Sequence, residues 1–248
     1  MKHSSQVKPI PKAFESPVFD SQSTFRTLLL ANSYPGTVQK IAVHIMPPVG
    51  MNVATAAIAL TLLDFETKVW LDTTADKDAL ADYLAFHCGC SISDTSKEVD
   101  FALLCDPKGM PSLSQFNSGS SELPDRSATL IIQVPKLSSS QEGFELTGPG
   151  IETTTKLQIG GVPEIIWRER EDMSELFPMG IDLILTCGAD VVALPRTTRI
   201  GRWACMLRLK AAKKPLKILS SFLLLSAGAI QKFQSYHSIR SRSNLAWL

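Results

Sequence analysis

The sequence predicts an α/β fold in which a mixed sheet is flanked by helices. Segments with helical periodicity alternate along the chain with short runs rich in Val, Ile and Leu, an order that is typical of α/β layers. The last third of the predicted domain is richer in strand-like segments, which indicates that some strands run antiparallel. The 248 residues, 44% hydrophobic and 20% charged, are enough for one sizeable core.

Three helices and a strand are predicted in the first part of the chain. A helix over 19–33 has apolar residues at helical spacing and stops at a Tyr-Pro-Gly turn. The segment 51–64 is small and apolar nearly all round, which is typical of a buried helix. The strand 68–72 precedes a helix over 76–87, for which Asp76 is the candidate N-cap.

Two further strands are predicted in the middle of the chain. They cover 99–106 and 127–137, and a short helix with a flexible loop separates them at 109–126. Pro135 closes the second strand, because proline cannot donate to a sheet. The segment 142–151 alternates in polarity and then turns through a Gly-Pro-Gly sequence.

The last elements of the domain are an amphipathic helix over 162–178 and a hairpin. The hairpin joins strands 181–187 and 191–195 through a tight Gly-Ala-Asp turn. The helix carries its charges on one side, which is expected to face solvent. Its core-facing residues are expected to be Ile165, Ile166 and Leu176.

Charge is distributed unevenly along the chain. Residues 1–201 contain 16 Lys and Arg and all 24 Asp and Glu, a net charge of −8, whereas residues 202–248 contain nine Lys and Arg and no acid. A segment with this net negative charge is not expected to attract nucleic acid. The sequence therefore divides into a loose arm at 1–18, a domain at 19–201 and an atypical basic and apolar tail at 202–248.

Residue chemistry predicts no catalytic, cofactor-binding or metal site. The chain lacks a Gly-rich phosphate loop, a His-Glu-x-x-His motif and a Gly-x-Ser-x-Gly motif. Its five cysteines follow no disulfide framework, which favours reduced thiols in a cytosolic protein, and its first residues do not resemble a signal peptide. His87 beside Cys88 and Cys90 could form a metal or nucleophile cluster, but this lone set at a helix end is interpreted as structural.

Asp182 is the one acidic residue inside an apolar strand of the predicted hairpin. Such an acid either faces solvent at an edge or is buried against a partner, and Arg196 lies just beyond the neighbouring strand. We therefore predict a structural pair between Asp182 and Arg196 that holds the hairpin, in preference to a catalytic role.

Several long segments of the chain resemble one protein family. The most specific is FPMGIDLILTCG at 177–188, followed by LPRTT at 194–198. Further segments occur in the same order, and AFHCGC stands where the family has an Arg-Phe-His-Thr-like run. These segments are FRTLLLANSYPG (25–36), NVATAAIALTLLDFETKVWL (52–71), AFHCGC (85–90), ATLIIQV (128–134) and LTGPGI (146–151). Over about 19–200 the chain resembles the PhnH family, subunits of the bacterial carbon–phosphorus lyase core.

The resemblance implies an accessory, non-catalytic subunit of a cytoplasmic transferase complex. In that family PhnH acts with PhnG, PhnI and PhnL, in a system that includes PhnJ, to displace adenine from MgATP by a phosphonate such as methylphosphonate. The product is ribose 1-methylphosphonate 5-triphosphate, and the nucleosidase chemistry belongs to PhnI. An isolated chain of this family is expected to form a homodimer.

The resemblance also implies a fold similar to a reduced pyridoxal-phosphate-dependent transferase, but without use of that cofactor. The absence of a Ser/Thr-x-x-Lys segment suited to a Schiff-base lysine agrees with this expectation. The alternative is a self-sufficient small transferase that does use pyridoxal phosphate, because fold alone does not determine function.

The tail at 202–248 is expected to be frameshifted read-through, since the family ends a few residues after the Pro-Arg-Thr-Thr segment. With chosen codons, a shifted frame that starts across Ala204 and Cys205 reads MYVAVKGGEKAIENS, which resembles the start of PhnI. The alternative is a helix that lies on a membrane surface or on a partner. A membrane span is not expected, because Lys217 and Lys232 enclose only 14 uncharged residues and a span needs about 20.

Overall fold

The computed structural model describes residues 9–72 and 77–201. All of them belong to the first of the two units of the chain, residues 1–202. Asp76, predicted as an N-cap, and the tail at 202–248 lie outside the described residues.

A seven-stranded mixed sheet lies at the centre of the described structure, in the order β1-β9-β8-β5-β4-β2-β3. The strands are β1 (Gln39–Lys40), β2 (Lys68–Leu71), β3 (Ser91–Ser93), β4 (Phe101–Leu104), β5 (Thr129–Gln133), β8 (Asp182–Cys187) and β9 (Asp190–Leu194). Neighbours from β3 to β8 pair in parallel, whereas β9 is antiparallel to both β8 and β1. The α/β class and the mixed sheet are therefore confirmed.

A second sheet of three strands pairs in the order β10-β6-β7, with both pairs antiparallel. These strands are β6 (Leu137–Thr147), β7 (Thr155–Ile159) and β10 (Arg199–Gly201). The register between β6 and β7 shifts between Ser139 and Phe144, because both of these residues lie opposite Leu157. The four residues between them therefore leave the ladder as an irregular bulge that is larger than the one-residue types.

Within the described residues, four α-helices accompany the sheets, together with short single-turn helices. They are α1 (Pro17–Ser33), α2 (Val53–Leu62), α3 (Lys77–Cys88) and α4 (Glu164–Met173). Asn52 caps α2 by accepting a hydrogen bond from the backbone of Thr55 at 2.8 Å. The composition of α2 is explained by burial, since six consecutive residues from Ala54 to Ala59 are buried.

The two faces of the central sheet are covered differently. Alternate strand residues such as Leu103, Ile131 and Ile184 pack beneath α1, α2 and α3. Their neighbours, including Leu104, Leu130 and Leu185, pack against the second sheet and α4. The sheet is thus flanked by helices on one face, and by a helix with a smaller sheet on the other.

Several sequence predictions of local structure are wrong. The strand predicted over 127–137 ends at Gln133, and Leu137 already starts β6 in the other sheet. The helix predicted within 109–126 is replaced by short single turns. Ile165 and Leu176 do not face the core, because they are 53% and 46% exposed; Ile166 alone of the predicted three is buried.

Candidate functional site

The carboxyl ends of the parallel strands provide the first candidate site. Ligands of open α/β sheets bind at this edge, where the strand order reverses. From β2 the chain goes first to β3 on one side and then to β4 on the other, so the reversal lies between β2 and β4. Asp72 follows β2 directly, and Cys105 and Asp106 follow β4.

Asp72 is a buried carboxyl at this reversal point, with only 6% of the residue exposed. Its Oδ2 accepts a hydrogen bond from the backbone N–H of Asp106 at 2.7 Å. Its Oδ1 has no hydrogen-bond partner in the described part of the chain. Burial raises the pKa of Asp72, the backbone groups of Asp106 and Cys105 oppose that rise, and the charge of Asp106 adds to it. The protonated form of Asp72 is therefore more favoured than that of an exposed aspartate.

A set of amides and hydroxyls continues along the same edge. Gln133, at the end of β5, accepts from the backbone N–H of Asn52 at 2.5 Å and donates to Gly50 O at 2.8 Å. Asn52 donates to Thr186 Oγ1 at 3.2 Å, and Thr186 Oγ1 lies 2.7 Å from Thr55 Oγ1. These groups form hydrogen bonds with one another and hold the start of α2 against β5 and β8. Their contribution is positional, because none of them ionises near neutral pH.

The opposite, amino edge of the sheet holds Asp182 and Arg196. Arg196 Nη2 lies 2.5 Å from Asp182 Oδ2, and the backbone N–H of Arg196 donates to Asp182 Oδ1 at 2.7 Å. Arg196 also donates to Pro124 O at 2.7 Å, to Pro178 O at 3.3 Å and to Ser127 Oγ. The side chains of Arg196 and Asp182 are 17% and 29% exposed. The ion pair and its hydrogen bonds therefore hold together three segments of chain: 124–127, 178–182 and Arg196 itself.

Arg170 on α4 is a second arginine at the amino edge, and sequence reasoning missed it. It donates to Ile181 O at 2.8 Å, Leu194 O at 2.8 Å and Pro195 O at 2.6 Å. Burial lowers its pKa to about 10, with the charge of Asp182 opposing and that of Arg196 adding to the shift. A sequence signal existed, because Arg170 follows Ile166 by four positions and so shares its buried helix face.

His87, Cys88 and Cys90 lie at the end of α3 without reactive geometry. His87 Nε2 lies 2.9 Å from Pro11 O, and its ring contacts those of Tyr83 and Phe86 edge to face. Burial raises the pKa of Cys88 to about 12, so its thiol is protonated at neutral pH. Within 9–72 and 77–201, no group of three or more His, Cys, Asp and Glu side chains could hold a metal ion.

No helix of the described segments combines the length and the hydropathy that crossing a membrane requires.

Comparison with known proteins relates the chain to phosphonate metabolism. The family described as "Bacterial phosphonate metabolism protein (PhnH)" matches residues 12–201. The alpha-D-ribose 1-methylphosphonate 5-triphosphate synthase subunit PhnH of Rhizobium meliloti (strain 1021) is 37% identical over 190 residues, which cover 77% of this chain and 94% of that protein. HtxG of Stutzerimonas stutzeri, named as a candidate C-P lyase subunit, is 32% identical over 187 residues, which cover 73% of this chain and 85% of HtxG. The chain therefore belongs to the PhnH family of bacterial phosphonate metabolism proteins.

Proposed function

We propose that the chain is an accessory subunit of a carbon–phosphorus lyase system and takes part in phosphonate catabolism. In this role it helps to transfer the ribose triphosphate part of MgATP to methylphosphonate, with release of adenine. The observation that carries the proposal is the 37% identity to a synthase subunit along 94% of that subunit's length. We place the protein in the cytoplasm with the rest of the complex.

The chemistry of the described residues supports an accessory rather than a catalytic role. Cys88 and Cys105 are weak nucleophiles, because burial raises the pKa of each thiol to about 12. Arg170 and Arg196 use most of their donors within the chain itself: Arg170 on backbone carbonyls, and Arg196 on backbone carbonyls, Asp182 and Ser127. Catalysis by the complex would then use groups of other subunits, with PhnI as the expected source of the nucleosidase chemistry.

The surface of α1 supports a role in assembly. This helix buries only Thr24, Leu28 and Ala31, and six large apolar residues on it or directly after it are exposed. They are Val18, Phe19, Phe25, Leu29, Leu30 and Tyr34. Several large apolar residues exposed on one helix are typical of a contact with another protein. We propose that the chain assembles with PhnG, PhnI, PhnJ and PhnL, and that it forms a homodimer when it is isolated.

We further propose that the fold is related to that of pyridoxal-phosphate-dependent transferases but that the chain does not use the cofactor. The seven-stranded sheet, in which β9 is reversed, supports the first part. Addition of pyridoxal phosphate to the isolated chain is expected to give no new visible absorption band. A band that disappears on borohydride reduction and on substitution of one lysine would favour the stand-alone transferase instead.

Growth tests the proposed function directly. A bacterium that lacks its own PhnH should regain growth on methylphosphonate as sole phosphorus source when it expresses this chain. The isolated chain should turn over neither ATP nor methylphosphonate. Failure to restore growth, although the other subunits are present, would contradict the proposal, and turnover by the isolated chain would contradict the accessory role.

Paired substitutions test the proposed role of α1 in assembly. Phe25→Asp with Leu29→Asp changes two exposed residues one helical turn apart. It should abolish co-purification with the other subunits while the chain stays folded. Leu123→Asp, which changes a similarly exposed residue elsewhere, is the matched control and should leave co-purification unchanged.

A further inference from the structure

One donor of the Arg170 guanidinium has no partner in the described part of the chain. Arg170 is 6% exposed, and its Nη1 and Nη2 atoms donate to the carbonyls of Ile181, Leu194 and Pro195. Its Nε, by contrast, is buried and forms no hydrogen bond with the described residues. Buried N–H groups are almost always paired with a protein acceptor or with an ordered water, because an unpaired one costs stability.

A small cavity lies beside this arginine, where α4 ends. Arg170, Met173 and Ser174 line one part of it. Met173 and Ser174 follow Arg170 by three and four positions, and Ser174 keeps helical backbone angles, so the three residues lie on one side of the helix end. Because Nη1 and Nη2 of Arg170 already donate to backbone carbonyls, Nε is the donor that this side chain has left for the cavity. We refer to it as the α4-end cavity.

Ser174 gives the α4-end cavity a hydrogen-bond acceptor. The hydroxyl of Ser174 donates to Glu171 O at 2.6 Å, so its proton is used, and its oxygen keeps lone pairs that can accept. The cavity therefore combines a donor, the Nε–H of Arg170, with an acceptor, the Oγ of Ser174. A ligand for this pair has to accept one hydrogen bond and donate another, which a water molecule does and a simple anion does not.

The size of the α4-end cavity limits its ligand to one small molecule. Its volume is about 10 Å³, which is close to the least that holds one water. Polyatomic anions such as phosphate or a carboxylate group are larger than this. A water in such a site needs at least about two polar partners, and Arg170 Nε and Ser174 Oγ provide them.

The charges around the α4-end cavity also favour a neutral ligand. Two arginines line the cavity, Arg170 and Arg196. Two carboxylates lie nearby: Asp182 forms an ion pair with Arg196, and Glu169 accepts from the backbone N–H of the lining residue Leu113 at 2.7 Å. The two cations are therefore matched by two carboxylates, and no excess of positive charge is left to select a halide.

We propose that the α4-end cavity binds one ordered water molecule. The water accepts a hydrogen bond from Arg170 Nε–H and donates one to Ser174 Oγ. It completes the hydrogen bonding of the buried guanidinium and links Arg170 to the single turn that follows α4, so it is part of the amino edge of the sheet. The inference goes beyond the proposed function and does not depend on it, because it rests on the fold alone.

A crystal structure of the full chain tests the proposal directly. A water should lie in the α4-end cavity at hydrogen-bond distance, about 2.7–3.2 Å, from both Arg170 Nε and Ser174 Oγ. A second crystal with bromide in place of chloride separates water from a halide, because bromide scatters X-rays anomalously. An anomalous peak beside Nε would overturn the inference, as would a direct hydrogen bond from Nε to a protein oxygen or a cavity without density.

Paired serine substitutions test the acceptor. Ser174→Ala should lower the occupancy of the water about 2-fold or more, since the water loses one of its two partners. Ser96 also donates one exposed hydrogen bond to a carbonyl, that of Gln115 at 3.1 Å, but it does not line the cavity. Ser96→Ala should therefore leave the water in place. Unchanged occupancy in Ser174→Ala, or an equal loss in both variants, would contradict the inference.

Cross-relaxation between water and the Nε–H protons of arginine gives an independent readout in solution. The Nε–H of Arg170 should show the sign that is typical of a long-lived bound water, and its signal is assigned by its loss in Arg170→Met. Arg168 lies on the same helix with a side chain that is 46% exposed, and its Nε–H should report only rapidly exchanging solvent. The same behaviour for both arginines would overturn the inference.

Discussion

The amino and carboxyl edges of the central sheet hold their buried ionisable groups in opposite ways. At the amino edge, Arg170 and Arg196 donate to backbone carbonyls and Arg196 pairs with the carboxylate of Asp182, although Arg170 Nε has no partner among the described residues. At the carboxyl edge, Asp72 is as buried as Arg170, has one oxygen without a partner and forms no ion pair among the described residues. We expect the first arrangement to stabilise the fold and the second to cost stability, and a buried carboxyl with a raised pKa is typical of a functional group.

The largest expected effect is at Arg170. Arg170→Met keeps much of the side-chain volume but leaves the carbonyls of Ile181, Leu194 and Pro195 without their donor. We expect the free energy of unfolding to fall by about 3–5 kcal/mol, measured by urea denaturation.

Arg168 on the same helix is the control for this prediction. Its ion pair with Glu164 is roughly half exposed, so Arg168→Met should cost less than about 0.5 kcal/mol. Similar losses for the two substitutions would mean that the amino edge is not the stabilising one.

A smaller effect is expected for the Asp182–Arg196 pair. If both groups were fully buried, loss of one could cost about 3–5 kcal/mol, but both side chains keep some exposure. We therefore expect Arg196→Ala to cost about 2–3 kcal/mol, part of it through the lost contacts with Pro124 and Ser127. A double-mutant cycle with Asp182→Ala should give a coupling energy of about 1–2 kcal/mol. A coupling near zero would remove the ion pair from the explanation.

At the carboxyl edge, Asn52 is expected to matter as a helix cap. Asn52→Ala removes the acceptor for the backbone N–H of Thr55 and the donor to Thr186. It should lower the free energy of unfolding by about 1 kcal/mol. Asn32→Ala, at the exposed end of α1, is the comparison and should have less than half that effect. A loss at Asn52 as large as that at Arg170 would place equal stabilisation at both edges.

The smallest expected effect on the free energy of unfolding is that of Asp72→Asn, and it is the only expected increase. Burial raises the pKa of Asp72 in the folded protein above its ordinary value of 3.8. Between the pKa of the unfolded chain and that of the folded protein, the folded protein therefore binds more protons. The contribution of Asp72 to stability therefore falls as pH rises through this interval, and the penalty is complete above the folded pKa. Asparagine cannot ionise, and it can still accept the hydrogen bond from Asp106.

Thermal or urea denaturation at two pH values tests this prediction. Asp72→Asn should be more stable than the wild type by up to about 1 kcal/mol at about pH 8, and the difference should shrink toward about pH 4. The exposed Asp106→Asn should change stability by less than about 0.5 kcal/mol at both. A loss of stability at about pH 8 would mean that the ionised carboxylate stabilises the carboxyl edge.

The elements that sequence reasoning predicts well are those with strong local signals. The apolar composition of 51–64 predicts a buried helix, and α2 (Val53–Leu62) is buried as expected. The hairpin of β8 and β9 follows from two apolar runs around a tight turn. By contrast, β7 (Thr155–Ile159) is short and has only two apolar residues, Leu157 and Ile159, and β1 has two residues in all. Such strands depend on tertiary pairing and carry little local signal.

The candidate sites also differ in how clearly the local sequence indicates them. Asp182 is noticeable in sequence because it interrupts an apolar strand, and the structure places Arg196 against it. Asp72 looks like an ordinary residue at the end of a strand, since the backbone N–H that binds it belongs to Asp106, 34 positions away. The cavity between the turn after α1 and the β6–β7 hairpin joins Gly36, Ser139 and Thr155, which are distant in sequence, and no periodic pattern could have predicted that they meet.

The central sheet ends on very short strands, which has a consequence for how other chains can bind. Its outer members are β1, with two residues, and β3, with three. They leave few unpaired backbone groups, so an added strand would gain few hydrogen bonds and edge-to-edge aggregation through this sheet is disfavoured. Neighbouring subunits are therefore expected to dock on side-chain surfaces such as α1, where specificity depends on shape rather than on the generic pattern of the peptide backbone.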